Sequence, residues 1–202
     1  MDELETQLKE YIKFLKERIY FEPGSATLHY NLGIAYTHQG LVEEAISEFK
    51  QALECDQNMA QAYVNLGGLY FKKNDLEACV AANEKAVSLD PDLPMAHSNL
   101  GFAYLQKGDL PKAIEASRRA IALSPDLLQA HNNLAVAQLQ RGDAPAAVDA
   151  CHKILAINDR FAPAHYNLAV ANRLLGETES ARSHYQKARS LGYPEDEDME
   201  NL

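Results

Sequence analysis

Residues 26–59 read ATLHYNLGIAYTHQGLVEEAISEFKQALECDQNM, and this stretch decides the fold because the chain repeats it. Asn31-Leu32-Gly33 returns as Asn65-Leu66-Gly67 and Asn99-Leu100-Gly101, then as Asn133-Leu134-Ala135 and Asn167-Leu168-Ala169. Every step has the same length. A fixed period of this kind marks a stack of supersecondary units. The units fall at 26–59, 60–93, 94–127, 128–161 and 162–195.

Other columns keep the same register. Tyr36, Tyr70 and Tyr104 follow the small residue by three, with Gln138 and Asn172 in the last two units. Small residues return at Ala45, Cys79, Ala113, Ala147 and Ala181, then at Ala52, Ala86, Ala120 and Ala188, with Ile154 in unit four. Turn residues divide each unit at Gln39-Gly40, Lys73-Asn74-Asp75, Lys107-Gly108-Asp109, Arg141-Gly142-Asp143 and Leu175-Gly176. Pro91, Pro125 and Pro194 separate units. Each unit therefore reads as two amphipathic helices of about 13 residues around a Gly or Asn turn. Helices that cross at about 8–10 Å need small residues at the crossing, and the pair Gly33 and Ala45, with its counterparts, is assigned that role. One such pair cannot bury its own apolar face, so the units must stack.

This pattern resembles the tetratricopeptide repeat over residues 26 to about 195. The resemblance implies an all-α fold, a right-handed superhelical α-solenoid of helix pairs. Departures occur inside the second helices. The usual aromatic is present as Phe49 and Tyr185 but replaced by Asn83, Ser117 and Cys151. Unit four also has Gln138, Ile154 and Asp159 where Tyr, Ala and Pro are usual. Ahead of the array, Leu4, Leu8, Tyr11, Ile12, Leu15 and Ile19 form one stripe, read as a capping helix within residues 1–25 in the phase of a second helix. Residues 196–202 are read as an acidic tail, solvated and frayed.

Composition narrows the function. The formal charge is -10, from 29 acidic and 19 basic residues, which opposes nucleic acid and anionic lipid as partners. No apolar run reaches the ~18 residues of a membrane span, and the acidic N-terminus lacks the apolar core of a signal peptide, so the default location is cytoplasmic. Cys55, Cys79 and Cys151 are odd in number and widely spaced, a pattern of reduced, buried thiols.

In the resembled family the first helix of each unit lines a concave face that takes ligands. By position that face holds Asn31, Asn65, Asn99, Asn133 and Asn167 with Tyr30, Phe71, Phe102, Leu105, Val136, Leu139 and Tyr166. Of the charged side chains it carries only Lys72 and Arg173. An Asn amide matches the C=O and N–H of a peptide unit. Rungs about 10 Å apart meet an extended chain, rising about 3.3 Å per residue, at every third residue. The ladder is similar to the asparagine ladder of the O-linked N-acetylglucosamine transferases. Two roles stay open for it: holding a peptide backbone, or stabilising contacts between helices.

His29, Tyr63, His97, His131 and His165 form a second column. Equivalent side chains about 8–10 Å apart cannot share one zinc, whose nitrogen ligands lie at about 2.1 Å, so no metal is assigned and the column is read as packing between units. Cys151 and His152 are adjacent and point to different sides of a helix, so they make no nucleophile–base pair. No phosphate loop, cofactor motif or catalytic constellation appears. A clamp for an acidic C-terminus would need Lys and Arg where Tyr30, Ile34, Met95 and Asn99 stand; of that set only Asn65 matches. The reading is a non-catalytic scaffold that binds an extended, weakly charged or apolar segment of a protein or peptide. Self-assembly into a homo-oligomer, or service as an accessory subunit of an enzyme or chaperone complex, is the alternative.

Overall fold

The computed structural model describes residues 3–200. Among them are twelve helices and no strand. A long helix α1 (Glu3–Phe21) precedes five pairs. These are α2 (Ala26–His38) with α3 (Val42–Cys55), α4 (Ala60–Lys72) with α5 (Leu76–Leu89), α6 (Pro94–Gln106) with α7 (Leu110–Leu123), α8 (Leu128–Gln140) with α9 (Ala144–Ile157), and α10 (Ala162–Leu174) with α11 (Thr178–Ser190). One further turn, α12 (Glu197–Glu200), follows. The chain divides into two compact units, Met1–Asp92 and Leu93–Leu202. Two repeats and α1 lie in the first, and three repeats in the second. No described helix is long and apolar enough to cross a membrane.

The turn inside each repeat follows from its sequence. Gly40, Gly108, Gly142 and Gly176 have φ between 75° and 83°, and Asn74 takes φ 59° at the same place in repeat two. Those values suit Gly, then Asn, because other side chains clash there. The left-handed residue lets the chain fold back on the helix it leaves. Gly40 N–H donates to the Thr37 carbonyl and Leu41 N–H to that of Tyr36, satisfying carbonyls that the helix end would strand. In repeats two to four the next helix is capped by Asp75, Asp109 and Asp143, which accept from Ala78, Lys112 and Ala146 N–H.

Packing within a pair corrects the assignment of Gly33 to Ala45. A Cβ on Gly33 would lie 2.8 Å from the Phe49 ring, one on Gly67 2.0 Å from Asn83 Nδ2, and one on Gly101 2.6 Å from Ser117 Oγ. The nearest neighbour is thus the side chain sixteen on, and the backbone twelve on stands further off, as at Gly101, where the Ala113 carbonyl lies at 3.4 Å. Phe49, Asn83 and Ser117 are fully buried, so the departures from an aromatic are packed. Asn83 Nδ2 donates to the Cys79 carbonyl at 2.8 Å. Where Gly becomes Ala135 or Ala169, the side chains sixteen on are Cys151 and Tyr185, in shared buried clusters.

α1 seals the first unit with Ile12 and Leu15, at 8% and 1% exposure, beside Leu8 and Ile19. Its other faces carry Leu4, Tyr11, Phe14, Tyr20 and Phe21 exposed. Two expectations fail. Cys55 is exposed at the end of α3, whereas Cys79 and Cys151 are buried. The acidic end is no frayed tail through residue 200, since Met199 is 2% exposed against Ala169 and Tyr185. Met199 stands one repeat period after His165, so it docks in the register of a sixth first helix. Residues 201 and 202 lie outside the described residues.

Candidate functional site on the first helices

The asparagine column joins consecutive first helices. Asn65 Nδ2 donates to Tyr30 Oη at 3.1 Å, Asn133 Nδ2 to the Ser98 carbonyl at 3.0 Å, and Asn167 Nδ2 to Asn132 Oδ1 at 3.0 Å. Each acceptor lies 35 residues back, on the first helix of the repeat before. Gln129 Nε2 also donates to Asn133 Oδ1. Asn133 and Asn167 are buried, at 1% and 6%, whereas Asn31, Asn65 and Asn99 are half-buried. These bonds give the inter-helix role a geometric basis at three rungs, and at Asn133 they also occupy the amide oxygen.

The apolar members separate likewise. Phe71 is 39% exposed on α4, and Phe102, Val136 and Leu139 are half-buried on α6 and α8. Leu105 is buried at 5%, packed with Ala113, Ile114 and Ala137, so it belongs to the core. Tyr30 is half-buried with its ring 5.6 Å from that of Phe49. The faces are therefore built within each unit, from Tyr30, Asn31, Asn65 and Phe71 in the first and Asn99, Phe102, Val136 and Leu139 in the second.

Tyr166 is covered by the chain itself. The Tyr193 ring stacks on it at 4.3 Å, and its hydroxyl donates to the Asp196 carboxylate. Asp196 N–H donates to Tyr185 Oη at 2.9 Å, and Arg173 Nη1 to the Asp198 carbonyl at 3.0 Å. Arg189 holds Glu195 and the Tyr193 carbonyl. The Tyr166 bond holds the Asp196 carboxyl below its ordinary value. Burial, with Asp196 nearby, pushes the Tyr166 hydroxyl up.

The histidine column does something its spacing did not reveal. Nε2 of His29, His131 and His165 donates to the carbonyls of Pro23, Pro125 and Asp159, at 3.0, 2.8 and 3.0 Å. Each carbonyl lies six residues back, in the segment entering the repeat, so these side chains hold that segment rather than pack as aromatic-like surfaces between units. His29 Nδ1 lies 2.7 Å from Glu48 Oε2, and His165 Nδ1 3.2 Å from His184 Nδ1. Burial, then His165 and His152, hold the His184 imidazole below its usual value. Burial pushes the Cys151 thiol up to about 12 and raises Cys79 as well. The geometry offers hydrogen-bonding amides and apolar side chains on the first helices.

Sequence profiles of known families match most of the repeats. One described as a TPR repeat matches residues 35–74, 67–108 and 103–142, and one described as a tetratricopeptide repeat matches 163–196. No curated protein sequence matches the chain. Among solved structures, MamA is 25% identical with a TM-score of 0.71, covering 82% of this chain and 91% of its own. YrrB, described as a TPR protein with an unusual peptide-binding site, is 20% identical with a TM-score of 0.74 and covers 93% and 98%. A chain of the APC/C Cut9–Hcn1 hetero-tetramer is 17% identical with a TM-score of 0.81, covering 97% of this chain and 39% of its own.

Proposed function

The chain belongs to the tetratricopeptide repeat family, and from that premise we propose that it is a non-catalytic scaffold whose first-helix faces hold an extended, weakly charged segment of a partner protein. The observation that carries this reading is the partial exposure of apolar side chains and amides within each unit, Phe71 with Asn31 and Asn65 in the first and Phe102, Val136 and Leu139 with Asn99 in the second. Apolar groups rimmed by hydrogen-bonding side chains are the usual make-up of an interaction surface. In this reading Phe71, with Asn31 and Asn65, offers the face of the first unit; in the second, Phe102, Val136 and Leu139 anchor the segment and Asn99 meets its backbone. Asn133 and Asn167 hold the helices that present them. Leu105 supports the surface from the core. Tyr166 joins it only where Tyr193 and Asp196 are displaced.

The test begins with affinity capture, then measures the isolated partner segment against variants. Phe102→Glu should weaken binding at least tenfold while the helical circular dichroism is kept. Because few charges line the surface, raising salt from about 0.05 to 0.5 M should change affinity less than threefold. A partner that binds Phe102→Glu at full strength, or is released by salt, contradicts the reading. A chain that sediments as a dimer and dissociates on Phe102→Glu would favour self-association instead.

A further inference from the structure

Repeat four holds two buried polar atoms without a hydrogen-bond partner among the described residues, His131 Nδ1 and Gln138 Oε1. Their residues are 3% and 2% exposed. Both line one hollow of about 250 Å³ formed by α7, α8 and α9. An orphaned polar group in such a place costs free energy that a matched ligand removes. With Nε2–H given to the Pro125 carbonyl, Nδ1 is the ring's remaining site, a lone pair in the neutral form and a second donor in the protonated one.

The first repeat shows which chemistry fits that site. There the corresponding Nδ1, of His29, meets the carboxylate of Glu48 at 2.7 Å, while Nε2 donates to Pro23 in the same manner. Glu48 lies nineteen residues after His29; nineteen after His131 lies Ala150, whose methyl leaves the hollow open. Ion chemistry agrees. Arg118 and Lys153 line the hollow against one acid, Asp149, a cationic balance in a chain whose net charge is -10. Gln138 stands seven residues after His131, about 10 Å along the helix, so one peptide segment reaches both.

We propose that this hollow receives the carboxylate of an acidic side chain from a partner protein, anchored on His131 Nδ1, while Gln138 takes a backbone N–H of the same segment. The site is separate from the first-helix faces and stands whether or not they bind. On entry the carboxylate meets Nδ1 at hydrogen-bond distance, as Glu48 meets His29.

The probe is the blocked peptide acetyl-Gly-Glu-Gly-Gly-amide, read by the side-chain nitrogen signals of His131 in the full chain. The expected result is a saturable shift in the millimolar range, at least tenfold weaker for the peptide with Gln in place of Glu. Ala150→Glu supplies the carboxylate from within, so this variant should melt at a higher temperature and lose the response. No shift overturns the proposal and leaves solvent in the hollow. A shift reproduced by acetate at equal concentration overturns the peptide as its source. An unchanged response in Ala150→Glu, or a lowered melting temperature, also counts against it. Should that variant fail to fold, the Glu, Gln and acetate comparison on the unaltered chain still decides.

Discussion

Tyr11 and Arg18 on α1 stand where α3, one repeat period on, has Ala45 and Ala52, whereas Met199 stands one period after His165 and is buried. The two ends thus treat the repeat differently. At the first, large side chains occupy positions that are fully buried Ala in α3, so a helix crossing α1 as closely as α2 crosses α3 would meet them. At the other, the register runs on and a short segment docks in it through one buried Met and several hydrogen bonds. Met199 packs with Ala169 and Tyr185, while Tyr193 and Asp196, just before that turn, cover Tyr166.

The comparison can be broken most strongly at Leu15, which is 1% exposed. Leu15→Ala should cost ~2–5 kcal/mol of stability in denaturant unfolding, since α1 seals the first unit through that side chain. Next comes Met199→Asp, which places a charge among Ala169 and Tyr185. It should release residues 193–200, seen as lost hydrogen-exchange protection there, with a smaller cost of ~1–3 kcal/mol. Tyr166→Phe removes one hydrogen bond to a solvent-reached carboxylate and should cost less than either. Because Asp196 is held below its ordinary value, its contribution is present above the unfolded carboxyl value of about 4. It is lost only as pH falls through the depressed folded value, and Tyr166→Phe should narrow that margin in an acid titration.

A weaker effect separates the ends by pH. The His184 imidazole is held below its usual value, so the unfolded chain binds the proton first as pH falls through about 6.5. Stability from the neutral ring is present above that pH and declines towards the folded value; His184→Gln should flatten the decline in thermal melts. Least of all, Phe14→Ser on the outward face of α1 should change stability by less than ~0.5 kcal/mol. A large loss there would show that this face is covered.

Much of this was legible in the sequence. The period, the helix pairs and the left-handed turn residues follow from spacing and from the conformations that Gly and Asn tolerate. The partner of Gly33 was misassigned because pairing small with small ignores reciprocal packing, in which a missing Cβ admits the Phe49 ring. Charge counting hid the docking of Met199, although Asn201-Leu202 falls one period after Asn167-Leu168 and marks the continuing register. Cys55 looked like the other thiols until the end of α3 placed it in solvent. An alkylating reagent should therefore modify it in the native chain before Cys79 and Cys151. At the candidate site, the face of each side chain could be read from the repeat, but not its depth. Burial of Leu105, Asn133 and Asn167 depends on neighbouring repeats, and the bond from each Asn crosses 35 residues.

The central claim is that the first-helix faces hold the partner. A photo-crosslinking residue at Phe71 or Phe102 tests it against the same residue at Lys50 or Ala122, on second helices, where Lys50 is exposed. The account predicts crosslinks from Phe71 or Phe102 that each map by mass spectrometry to a short segment of the partner, and none from Lys50 or Ala122. Crosslinks from the second-helix positions alone, or of equal yield from all four, would contradict it.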